Sequence, residues 1–127
     1  MKQSTFKSLD DFTLAYIEAM FFTESGEDNL KDADFKDISD ELAQKIIADC
    51  KKFQADNADH ITKDNCFYTG CSAIEYAGHD FWLTRNGHGC GFWDGDWDKS
   101  VEDILTQSAH DFGPMEVYLG DDKKVYA

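Results

Sequence analysis

Residues 78–94, Gly-His-Asp-Phe-Trp-Leu-Thr-Arg-Asn-Gly-His-Gly-Cys-Gly-Phe-Trp-Asp, constrain the fold of this chain more than any other stretch. Asn86-Gly87 stands between two aromatic-rich runs, the strongest short-range signal for a β-hairpin. Both central positions of a type I′ turn need positive φ, which Asn tolerates and Gly adopts freely. The reading is an antiparallel hairpin pairing Arg85 with His88, Leu83 with Cys90, Phe81 with Phe92 and His79 with Asp94. Phe81, Leu83, Cys90 and Phe92 then form its core face. On the opposite face Trp82 covers the bare backbone of Gly91, or joins Trp93, Asp80 and Thr84 as a flat recognition surface.

Helical periodicity dominates elsewhere. Ser8, followed three residues on by Asp11, reads as a capping box. Leu9, Phe12, Tyr16 and Met20 recur at helical spacing, with Ile17 and Phe21 beside them, so a helix runs to about Phe22. Ser39 caps a second helix with Leu42, Ile46, Cys50 and Phe53 on one row. Ala73 to Tyr76 reads as a brief helical turn leading into the hairpin. Asp98 or Ser100 caps a third long helix whose buried face is Val101, Ile104, Leu105, Ser108 and Phe112, and Gly113-Pro114 ends it. Met115 to Leu119 alternates as a strand, and Gly120-Asp121-Asp122 turns into a last short strand at Lys124 to Tyr126. The expected fold is one α+β domain over 1–127, its N-terminal helices packed on a small antiparallel sheet, in the order α-α-β-β-α-β-β.

The 26 acids outweigh 12 bases, a net charge of −14. Phosphate binding runs on Lys and Arg, so direct nucleic-acid binding and attachment to an anionic membrane are not expected. No run approaches the roughly 20 apolar residues of a membrane span, and the opening residues lack the apolar stretch of a secretory signal, so the expected compartment is cytoplasmic. Cys50, Cys66, Cys71 and Cys90 are irregularly spaced and read as free thiols.

The residues offer elements of three kinds of site. Cys66, Cys71, His79, His88 and Cys90 are zinc-ligand types without zinc-knuckle spacing, and His79 and His88 would stand at opposite ends of the hairpin. Asp94-Gly95-Asp96-Trp97-Asp98 opens like a calcium loop, but Lys99 occupies the position that needs Gly, so the acids fit better as the entry to a helix. Catalysis is not expected: no phosphate loop or nucleophile elbow is present, and His79 and Asp80, as neighbours on a strand, would face opposite ways. Neither a metal nor a cofactor is implied.

The core His79-Asp80-Phe81-Trp82-Leu83-Thr84-Arg85-Asn86-Gly87-His88-Gly89 resembles hairpins in small accessory proteins of bacteriophages and related mobile elements. The resemblance extends more loosely to the following helix and the end of the chain. It implies a phage-type accessory role in a bacterial host and carries over no catalytic residue.

The leading expectation is a small acidic interaction protein that binds a host protein with a basic surface, acting against a nucleic-acid-handling or defence (restriction or CRISPR) protein as a DNA mimic. Glu24, Glu27, Asp28, Asp32, Asp34, Asp37, Asp40 and Glu41 are the candidate contacts. The alternative is a small-ligand or metal-binding module built on His79, Asp80, Trp82, His88 and Trp93.

Overall fold

Helix α2, Asp11–Glu24, is apolar on nearly every side: Phe12, Ala15, Tyr16, Ile17, Ala19 and Met20 are all buried. A helix of that pattern belongs at the centre of a domain. In the computed structural model, which describes residues 1–25 and 30–127, the buried residues of α2 belong to the hydrophobic core. A short α1, Gln3–Lys7, precedes it, and a 3₁₀ turn, Phe35–Asp37, follows. Then come α3, Asp40–Asp56; α4, Ala73–Arg85; and α5, Lys99–Asp111. Two-residue strands β1, Tyr118–Leu119, and β2, Val125–Tyr126, pair antiparallel, Tyr118 opposite Tyr126 and Leu119 opposite Val125. The fold is mainly helical with a small antiparallel sheet. No helix among the described residues is long and apolar enough to cross a membrane.

The expected hairpin is a helix. Ser72 caps α4 by accepting the Glu75 N–H at 3.1 Å, while Glu75 accepts the Ser72 N–H, a capping box that starts the helix well before Gly78. Asn86-Gly87 ends it. Gly87 has φ +69°, its N–H donates to the Thr84 carbonyl at 3.2 Å, and the His88 N–H donates to Leu83 at 3.0 Å. These two bonds form a Schellman cap. A left-handed Gly serves a helix end as well as a hairpin turn, and the aromatic run before it satisfies α4 instead of a strand. None of the four cross-strand pairs forms; Phe81 and Phe92 meet through Phe53, their rings 4.3 and 5.6 Å from it.

Gly78 has a different task from the one the hairpin gave it. A Cβ there would lie 2.2 Å from the Phe12 carbonyl oxygen and 3.0 Å from the Ala15 methyl, so α2 and α4 cross with their backbones nearly touching. The atoms nearest a Cβ at Gly91 belong to Thr84 and Trp93.

Other boundaries also shift. Asp10, not Ser8, caps α2, accepting the Thr13 N–H at 2.8 Å; Ser8 instead closes α1 and donates to the Thr5 carbonyl. Ser39 caps α3 as expected, and Leu42, Ile46, Cys50 and Phe53 are its buried row. Asp98, rather than Ser100, caps α5, whose Ile104 is exposed. Met115 to Leu119 alternates as expected, Met115 and Val117 inward, yet only its last two residues enter a ladder.

Arg85 anchors the end of α4 inside the protein. Its Nη1 donates to the Tyr16 hydroxyl at 3.1 Å and to Asp49 Oδ2 at 3.0 Å; Nε donates to the Gly113 carbonyl at 2.9 Å. The guanidinium also lies 5.3 Å from the Phe81 ring centre and 5.7 Å from that of Phe112. Burying a cation is tolerable only with partners of this kind.

Candidate functional site

Helices periodically expose one stripe to whatever lies beside them, and α2 and α4 together leave one such stripe uncovered. On α4, Tyr76, His79, Asp80 and Leu83 follow the i, i+3, i+4, i+7 spacing of a single face. On α2, Glu18 with Phe22 and Ala19 with Thr23 form two adjoining i, i+4 rows on the facing side. Between them lies a cleft of about 580 Å³, lined also by His88, Gly89, Cys90 and Asp94 of the segment after α4. That volume is in the range of small-molecule sites.

Its floor is apolar, from Ala19 and Leu83, and Phe22 stands at the rim with 85% of its surface exposed. Its polar groups are held in place from behind. Trp97 Nε1 donates to Asp80 Oδ2 at 2.8 Å, and the Tyr76 hydroxyl donates to Asp96 Oδ2. Trp82 Nε1 donates to Thr23 Oγ1 at 2.8 Å, and Thr23 Oγ1 in turn donates to the Ala19 carbonyl at 3.0 Å. His79 Nε2 lies 3.6 Å from Glu18 Oε2 across the cleft. The bonds from Trp97 and Trp82 come from side chains that are themselves locked in the core, so the wall is pre-arranged.

Asp80 is the unusual member. Only 2% of it is exposed, and among the described residues no Lys, Arg or His forms an ion pair with it. Burial raises its pKa to about 7; the Trp97 hydrogen bond opposes the rise, and Asp94 and Asp96 add to it. Burial and the neighbouring carboxylates also raise the Tyr76 hydroxyl and the Cys90 thiol, so Cys90 is not an activated nucleophile. Among the described residues no three His, Cys, Asp or Glu are grouped to hold a metal ion.

Of the residues singled out in the sequence, His79, Asp80, His88, Cys90 and Asp94 meet at this cleft. Three expectations are corrected by the helix. His79 and Asp80 face the same side rather than opposite sides, His79 and His88 share one cavity instead of standing apart, and Cys90 is exposed rather than in the core. Trp82 is fully buried and touches the site only through Thr23, while Trp93, 47% exposed, lies outside its lining. The sequence reading does not include Glu18, Phe22 and Tyr76 in a site. The signal for Tyr76 is helical, visible when 76–83 is read with a period near 3.6. Glu18 and Phe22 lie on the outer face of a helix that the periodicity does predict.

The acidic candidates are dispersed. Asp32, Asp34, Asp40 and Glu41 are exposed, Glu24 and Asp37 are half-buried, and Glu27 and Asp28 lie outside the described residues. Some have local work. Asp34 accepts the Phe35 N–H and Asp37 accepts the Asp34 N–H, which closes the 3₁₀ turn. Asp40 and Glu41 occupy the first turn of α3, where its dipole favours negative charge.

No protein-family model, no curated protein and no solved structure matches this chain.

Proposed function

We propose that the protein is a binding module whose cleft between α2 and α4 takes a small organic ligand. The observation that carries this reading is the buried Asp80 carboxyl, held by Trp97 at the wall of a 580 Å³ cavity with an apolar floor. Polar groups converging on an apolar cavity are the usual architecture of a ligand site. The exposed Phe22 ring at the rim is suited to cover an occupant. Chemistry on the ligand is not part of the reading, because burial raises the Cys90 thiol and the Tyr76 hydroxyl that line the cleft.

The test is a thermal-shift screen of a fragment panel containing cations, anions and neutral molecules, run beside Gly89→Trp. Gly89 lines the cleft, and a Cβ there would meet nothing within 4 Å, so an indole at that position blocks the mouth without disturbing the core. Fragments that stabilise the wild type and lose their effect in Gly89→Trp support the cleft. A panel with no hits, or hits indifferent to the block, refutes it.

A second reading keeps the acidic surface as the working part, in a phage-type protein acting on a basic host protein in the bacterial cytoplasm. It is favoured by the net charge of −14 and by Asp32, Asp40 and Glu41, which are exposed and form no ion pair among the described residues. Asp32→Lys, Asp40→Lys and Glu41→Lys together, sparing the acids that cap the 3₁₀ turn, should abolish capture of a partner that the wild type releases at high salt. Capture that survives both the substitutions and the salt would exclude an electrostatic mechanism.

A further inference from the structure

Resting on the cleft reading, we propose that the ligand is an organic cation: an ammonium or amidinium group carried on an apolar body, its charge seated against Asp80. Three observations converge on that class. Carboxylates of Glu18, Asp80 and Asp94 border the cavity, and among the described residues neither Lys nor Arg lines it. Asp80 is almost wholly buried yet has no positive partner among the described residues, the arrangement of a carboxyl that awaits its counter-charge. The exposed ring of Phe22 at the rim adds an aromatic face, which attracts cations. The cavity is too large for a lone metal ion and has the size of a whole small molecule.

Proton linkage follows from the same geometry. The titratable groups that line the cavity with Asp80 or interact with it are Glu18 from α2, Cys66 and Cys71 from the segment before α4, Tyr76 and His79 from α4, and His88, Cys90, Asp94 and Asp96 from the segment after α4. A cation seated against Asp80 favours its ionised form, so binding near neutral pH expels the proton that burial retains. Substituting Asp80 with Asn preserves the acceptor for Trp97 and separates its titration from those of the other groups.

The experiment is isothermal titration calorimetry of the full chain with benzamidine, benzamide and benzoate, which share ring and size but carry charges of opposite sign or none. Benzamidine should bind at least about tenfold more tightly than benzamide, the gap expected of a charge-assisted hydrogen bond, and benzoate should not bind. In two buffers of different ionisation enthalpy, benzamidine binding should release protons near pH 7. Asp80→Asn should remove both the preference and the release while benzamide binding persists. Benzamide or benzoate equalling benzamidine, with Gly89→Trp still blocking, overturns the cation inference and leaves the cleft standing. Absence of binding by all three probes also overturns the inference, and the fragment screen then decides the cleft by itself.

Discussion

The indole N–H of Trp97 reaches Asp80 Oδ2 at 2.8 Å, and this bond joins the hydrophobic core to the wall of the cleft. Trp97 is buried against Phe92, so the carboxyl it holds has little freedom to turn toward water. The site therefore keeps a titratable group in a place where ionisation is costly.

That cost has a pH signature. With its pKa raised in the fold to about 7, Asp80 binds a proton more tightly folded than unfolded. Its contribution to stability is thus full below the unfolded value near 3.8 and is lost as pH rises through 7. The difference spans about three pH units, on the order of 4 kcal/mol at most. Urea titrations should show wild-type stability falling across this interval, and Asp80→Asn should flatten the fall and be the more stable protein at about pH 8. An unchanged slope in Asp80→Asn would show that Asp80 titrates as an ordinary surface acid.

Gly78→Ala tests the contact between α2 and α4. Alanine favours a helix by up to about 1 kcal/mol over glycine. Here its methyl would lie 2.2 Å from the Phe12 carbonyl oxygen, so overpacking should reverse the sign and cost about 1–3 kcal/mol. Gly89→Ala, in open space, should change stability by no more than a few tenths. Chemical denaturation of the pair checks the contrast.

Arg85→Met should be among the most damaging single changes in the chain. It leaves Asp49 with its exposed Lys45 partner at 3.4 Å and removes the donors to Tyr16, Gly113 and Phe112, a loss of about 3 kcal/mol by analogy with other broken buried pairs. Asp49→Asn should cost less, because Asp49 is partly open to solvent and Tyr16 and the two carbonyls still hold the guanidinium. Equal losses would place the energy in the ion pair alone.

Much of the helical scaffold was legible before the structure. The row Leu42, Ile46, Cys50, Phe53 and the Ser39 cap define α3 because period and cap agree. Residues 78–94 misled for a physical reason. Asn86-Gly87 states that the chain turns through a left-handed residue, and it does not state whether a strand or a helix comes before the turn. The decisive local signal was Ser72 with Glu75, a capping box eleven residues or more upstream, whose helix then sweeps through Trp82 to Arg85. The site was half-legible in consequence. His79, Asp80 and His88 were picked out by chemical type, whereas Tyr76 and Glu18 depend on helix faces and on the crossing at Gly78. The pairing of Trp97 with Asp80 depends on long-range packing that no local pattern records.

The three tryptophans provide the most direct test of the central claim, that a cation occupies the cleft against Asp80. Trp97 bonds to Asp80 and Trp82 to Thr23, both in the lining, while Trp93 stands outside it. In ¹⁵N-resolved spectra titrated with benzamidine, the indole N–H signals of Trp97 and Trp82 should move together, Trp97 the further, with Trp93 nearly still. Movement of Trp93 alone, or of none of the three at saturation of the probe, would contradict the account.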